Sequence, residues 1–202
     1  MLPGFSWFGV GRSAERDGEH CAVLYRRDRL EVLEQSTFWL SETPEVPGSR
    51  SWDAALPRIA TWGRLRDRRT GAVFHLFNTH LDHMGKTARL EGAKLILQKM
   101  AEINRQNLPV VLTGDFNSVK EGDPIQAILK VLKDSRTICE TTPYGPEGTS
   151  GGFDVKLMPR IIDYIFVNDR VKIKRHGILT DSRGLFYPSD HLPVLAEVNL
   201  EY

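Results

Sequence analysis

The chain has 202 residues, 41% hydrophobic and 26% charged, which is the make-up of a folded globular protein long enough to bury a core. Its 27 Lys and Arg nearly cancel 26 Asp and Glu, and a net charge of +1 disfavours a protein that coats long polyanions non-specifically. The two cysteines, Cys21 and Cys139, exclude a disulfide framework and cannot by themselves make a structural zinc site.

No run approaches the ~20 apolar residues of a membrane-spanning helix. The opening segment has neither the basic stretch nor the long apolar stretch of a signal peptide, and it starts abruptly with aromatic residues, as the middle of a domain does. His20 to Tyr25 reads as a buried strand and Leu30 to Leu40 as a more exposed one, with Arg27-Asp28 at the turn. Residues 41–55 carry two prolines and a glycine and read as a long loop, of the kind that is often functional. Residues 59–65 and 72–77 form a hairpin around 67–71. His75 on its second strand reads as a strand-surface residue. Lys86 to Arg105 is the clearest helix, with Leu90, Ala93, Leu97 and Met100 on one apolar stripe. A strand at 109–113 follows, then a helix from Pro124 to Leu132 with Asp123 as its N-cap. Residues 141–152 are a second long loop, and strands near 161–167, 171–179 and 193–199 complete the chain.

No repeat or linker divides this pattern, so a single domain over 1–202 is expected. Helix–strand alternation occurs only in the middle, which favours stacked antiparallel or mixed sheets with helices outside. The order of strands is not readable.

Four polar islands stand at the strand ends: N-T-H-L-D-H at 78–83, G-D-F-N at 114–117, I-D-Y at 162–164 and S-D-H at 189–191. A single Asp after a strand is usually a turn or a cap. Four islands of acids, amides and imidazoles resist that reading, and they point to metal-assisted hydrolysis of a phosphate ester. Asp115 and Asp190 offer the oxygen ligands that Mg²⁺ prefers, with Mn²⁺ as the alternative ion. Asn117, two residues past Asp115 and on the same side if the strand continues, is placed to meet a phosphate oxygen or the attacking water. His191 is a base or donor at the phosphate, and Asp163 is the candidate to orient it. Zinc at His75, His80 and His83 is disfavoured. The first two point to opposite strand faces, and the last two are a poor pair without a third ligand.

The islands, in this order, resemble the endonuclease/exonuclease/phosphatase superfamily with the deoxyribonuclease-like fold, from about Trp7 to the C-terminus. The segments F-G-V-G-R, F-W-L-S-E-T-P and W-D-A-A-L-P-R-I-A-T-W resemble a bacterial branch of undefined substrate. The resemblance implies an α+β fold, a four-layer α/β/β/α sandwich with a divalent-metal site where strand ends meet. It implies Asp115 and Asn117 at the scissile phosphate and the water, Asp190 at the metal, and His191 paired with Asp163. His80 becomes a second active-site imidazole with Glu19 as partner, and Arg58 a phosphate contact or, as an alternative, an ion-paired strand-edge residue.

One element departs from the pattern. The superfamily's first strand, ending in Asn, and a Q-E element whose Glu binds metal should precede Trp7, and neither is found there. The expectation is an N-terminally incomplete domain, lacking its first strand–helix–strand and weakly active or inactive alone. The functional expectation is a phosphoesterase acting by direct water attack, Asp115 or His191 being the base, on a small-molecule or lipid-headgroup phosphate. A nuclease acting on DNA or RNA is the alternative within that class. A non-catalytic scaffold that has lost the metal-ligand Glu is the rival outside it. Compartment and oligomeric state stay open.

Overall fold

The computed structural model describes residues 2–155 and 160–201. Its centre is a six-stranded sheet in the order β3-β4-β5-β6-β8-β7. The strands are β3 (Leu30–Trp39), β4 (Ile59–Asp67), β5 (Val73–His80), β6 (Val110–Asp115), β7 (Lys133–Asp134) and β8 (Asp163–Val167). Every neighbouring pair is antiparallel except β5 and β6. A parallel pair needs a crossover connection, and α1 (Lys86–Ile103) supplies it.

Side-chain alternation divides the faces. On β6, Val110 and Leu112 pack with Ala93, Ile96 and Met100 of α1 and with Ile125 and Ile128 of α2 (Asp123–Leu129). Val111 packs on the opposite face, and the same parity carries Thr113 and Asp115 to that side.

Two separate antiparallel pairs cover this second face. One is β1 (Phe5–Phe8) with β2 (Val23–Arg26), the other β9 (Val171–Ile178) with β10 (Val194–Leu200). Phe8 and Val23 pack on Leu65, and Gly63 leaves the space, since a Cβ there would sit 2.5 Å from the Phe8 ring. Val171 and Ile173 pack on Val111 and Val167. A groove of about 600 Å³ between the central sheet and the β9–β10 pair is lined by Leu30, Phe74, Val111 and Leu200, among others. The one-turn α3 (Ser135–Ile138) bridges β8 and β9. The result is the expected α+β sandwich, sheet on sheet with helices outside.

Some expectations change. Strand β1 was not anticipated. α2 starts one residue earlier, with Gly122 at the N-cap and Asp123 already inside the first turn, and it ends at Leu129. His75 is not a surface residue: it is 3% exposed, with ring centroids 6.1 Å from Trp62 and 6.5 Å from Phe77. Its strand parity is that of Phe77, so it lies on the helix-covered face. The loop 41–58 is tied down from an unexpected quarter. α1 has no side-chain cap of its own at Gly85, and Asp53 accepts instead from the N–H groups of Thr87 (3.2 Å) and Ala88 (2.7 Å).

The buried histidines give the fold a pH dependence. His176 is 5% exposed with Nδ1 2.9 Å from Ser135 Oγ, and burial, with Arg136 nearby, lowers its pKa to about 4. Burial lowers that of His75 as well. Both are neutral when folded and protonate more readily when unfolded. The contribution of His176 is complete above pH 6.5 and is lost as pH falls from 6.5 towards about 4, and that of His75 has the same sign. Urea unfolding at pH 7.5 and pH 5 should show a stability loss of about 1–2 kcal/mol attributable to His176. The His176→Asn variant, which keeps an acceptor for Ser135, should show a correspondingly flatter acid limb.

Candidate active site

The registers of three adjacent strands put three site residues in one row. His80 at the end of β5 pairs with Asp115 at the end of β6, and Asp115 pairs with Asp163 at the start of β8. All three lie on the face turned to the second layer. His191, in the loop before β10, completes the group through Nδ1, 2.9 Å from Asp163 Oδ2. Ligand atoms of Asp115, Asp163 and His191 lie within 4.8 Å of one another.

Thr149, fully buried, ties the last two together. Its hydroxyl accepts from the N–H groups of Ile162 (3.1 Å) and Asp163 (3.2 Å), and its carbonyl accepts from Leu192 N–H (2.7 Å). Sequence reading saw only a long loop here. Nothing but the loop's length marks it, and Thr149 is one of three threonines there.

A second network surrounds His80. Its Nδ1 lies 2.6 Å from Glu19 Oε1, as the resemblance implies, and its Nε2 lies 3.3 Å from Asp115 Oδ2. Glu19 also meets Arg12 at 3.1 Å and Arg58 at 3.2 Å. Arg58 is 5% exposed, and its guanidinium reaches Asp82 (3.7 Å) and His83 (3.1 Å) as well. These contacts with Glu19, His83 and Asp82 are those of the ion-pair alternative. Asp82, also buried, is the anchor that sequence reading passed over. Against the cost of burial, N–H groups of Gly85, Met84, Ala55 and Leu56 hold its pKa down to about 2.

The electrostatics divide the two imidazoles. The hydrogen bond that His191 donates to Asp163 raises the pKa of His191, while burial and the Arg58 charge lower that of His80. Burial and the nearby Asp163 charge hold the Asp115 carboxyl above its ordinary range, despite the bond it accepts from Asn117 N–H at 2.7 Å. Burial lifts the Cys21 thiol to about 12, so this neighbour is inert.

Asn117 reaches the site differently from expectation. β6 stops at Asp115, and Asn117 turns in with φ 47°, its Nδ2 donating to Leu81 O at 3.0 Å and its amide oxygen left available. Asp190 is exposed and stands outside the compact cluster, whereas Asp163, expected only as the partner of His191, stands inside it.

The donor set fits a hard divalent cation. Asp115 and Asp163 are like charges on one ledge, and Mg²⁺ is commonly bound by one or two carboxylates together with substrate phosphate and waters.

Comparison with known proteins follows from this geometry. The model of the Endonuclease/Exonuclease/phosphatase family matches residues 4–191. No curated protein sequence matches the chain. Among solved structures it is similar to a mannosyl-6-phosphatase of Bacteroides thetaiotaomicron VPI-5482, at 44% identity and TM-score 0.94, over 98% of this chain and 78% of that one. An endonuclease/exonuclease/phosphatase family protein of the same species is similar at 42% identity and TM-score 0.94, over 100% and 77%. The human Nocturnin catalytic domain with bound sulfate shares the fold, at 16% identity and TM-score 0.73, over 98% and 72%.

The row depends on β6 lying close against β5, and Gly114 permits this. A Cβ there would fall 2.1 Å from Thr79 O, at a φ of 153° that side chains rarely adopt. Gly114→Ala should therefore lower the unfolding free energy by about 2–3 kcal/mol in urea titrations. It should also displace Asp115 from His80, so phosphoesterase activity should fall further than the fraction unfolded accounts for.

Proposed function

The chain belongs to the endonuclease/exonuclease/phosphatase family, and we propose that it is a divalent-metal-dependent phosphoesterase acting on the phosphate monoester of a small hydroxylated molecule. The observation that carries this reading is the row His80–Asp115–Asp163 with His191 bonded to its far end. Support for a small substrate comes from the net charge of +1 and from the 44% identity to a mannosyl-6-phosphatase.

Each side chain has a defined task in the proposed reaction. Asp163 accepts from His191 Nδ1–H and favours the imidazolium, so His191 Nε2–H serves as a donor to a non-bridging phosphate oxygen. His80, disfavoured as imidazolium, donates Nδ1–H to Glu19 and turns Nε2 outward as an acceptor. Nε2 and Asp115 Oδ2, 3.3 Å apart, are then two acceptors facing one place, where a water molecule finds a partner for each proton. Asp115, its basicity raised by burial, takes the proton as that water attacks phosphorus, the P–O bond to the substrate alcohol breaks, and the departing alkoxide takes a proton from solvent. The amide of Asn117 steadies the same region from its turn. Asp115 and Asp163 would hold the cation, which when bound neutralises charge on the phosphate oxygens.

Steady-state assays of the chain on nitrophenyl phosphate should show slow turnover with Mg²⁺ that EDTA abolishes. Asp163→Asn should lower kcat about 100-fold by releasing the orientation and charge of His191. Cleavage of a labelled oligonucleotide without turnover of nitrophenyl phosphate would transfer the reading to a nuclease. No turnover and no metal binding by calorimetry would leave a non-catalytic binding protein.

A further inference from the structure

The guanidinium of Arg58 holds a second imidazole besides the partner of Glu19. Nη1 donates to Glu19 Oε1 at 3.2 Å, and Nη2 lies 3.1 Å from His83 Nδ1. Arginine has no acceptor, so at this contact Nδ1 accepts and the neutral ring carries its proton on Nε2. His83 is an exposed residue whose Nδ1 side is pinned from within, and its Nε2–H therefore faces outward.

The contact that holds it connects to the catalytic row. Glu19 Oε1, one end of the Arg58 contact, is also the acceptor for His80 Nδ1 at 2.6 Å. His83 thus stands one guanidinium away from the carboxylate that orients the catalytic imidazole. Its loop is fixed on both sides: Leu81 is bonded to Asp115 and Asn117, and Asp82 gathers the N–H groups of Ala55 and Leu56. Met84, next in the chain, is 68% exposed, and Leu56, whose N–H bonds to Asp82, is 37% exposed, so the loop and its anchor carry apolar surface as well as the imidazole N–H.

We propose that His83 is a substrate-contacting residue that sets specificity, its Nε2–H donating to a hydroxyl on the leaving group of a sugar or polyol phosphate. The inference rests on the reading of the site as a phosphomonoesterase. The phosphate already has His191 and the cation ledge for its charge, and a neutral N–H beside apolar surface matches a ring that alternates hydroxyls with C–H faces. A pinned exposed ring is also a pre-organised one, with little rotamer freedom left to lose on binding.

The bland alternative is that His83 only satisfies a buried arginine. His83→Asn separates the two, because the Asn oxygen can replace Nδ1 as acceptor for Arg58 while nothing replaces the outward Nε2–H. With mannose 6-phosphate, His83→Asn should raise KM roughly five- to ten-fold, the loss of one hydrogen bond, with kcat within about two-fold of the parent. Its kinetics on nitrophenyl phosphate, which has no hydroxyl to contact, should be unchanged. Kinetics equal to the parent on both substrates, or an equal loss on both, would overturn the proposal. A second measurement is independent of turnover. With Ca²⁺ in place of Mg²⁺, mannose 6-phosphate should shift the His83 ring resonances of the unaltered chain, and saturating ligand without such a shift would also overturn it. Failure of nitrophenyl phosphate hydrolysis, by contrast, strikes the phosphoesterase reading itself.

Discussion

The main-chain approach of β6 to β5 at Gly114 is the constraint from which the site is built. Hydrogen-bond register converts it into chemistry. Once Thr79 and Gly114 pair without a side chain between them, His80 and Asp115 are held level. The antiparallel pairing of β8 then brings Asp163 to the same height. None of these positions depends on a flexible loop. Catalytic groups at the ends of paired strands inherit the stiffness of the sheet, the condition for holding reacting atoms within fractions of an ångström.

Around that row the charges are arranged in opposition. One imidazole leans on a single carboxylate and is drawn towards the cationic form. The other shares its carboxylate with two arginines and is drawn towards the neutral form. In the proposed reaction, a pair of chemically identical side chains thereby takes a donor role and an acceptor role, by environment alone. The burial of Arg58 is central to this, since a guanidinium that is 5% exposed keeps its influence where a surface arginine would be screened.

Much of this was legible because strand-end polar islands break the apolar pattern. Asp115, Asp163, His80 and His191 each follow or flank a hydrophobic run, and period-two alternation places the first three, which stand on strands, on one face. The Glu19–His80 pair came from resemblance, and the structure brings the two residues together. What stayed hidden were partnerships across long sequence distance. The cap that Asp53 gives α1 spans 35 positions to Ala88, and the Thr149 link depends on two loops folding together. His75 misled because a lone His in a strand carries no sign of which face a helix will cover. Adjacency in sequence could not convey spacing either: Asp190, next to His191, is exposed and lies outside the compact group of Asp115, Asp163 and His191.

The division of the second layer has a mechanical meaning. Among the described residues no ladder joins the β1–β2 pair to the β9–β10 pair, and the central sheet is their common support. Glu19 belongs to the segment linking the first pair, while His191 stands at the threshold of the second. The two imidazoles are therefore clasped from opposite banks: one by a carboxylate from the first pair's connection, the other by its own attachment to the second. Any sliding of one bank against the other would be felt as a change in the spacing between donor and acceptor. The row is a rigid beam, and its two handles are fastened to independent plates.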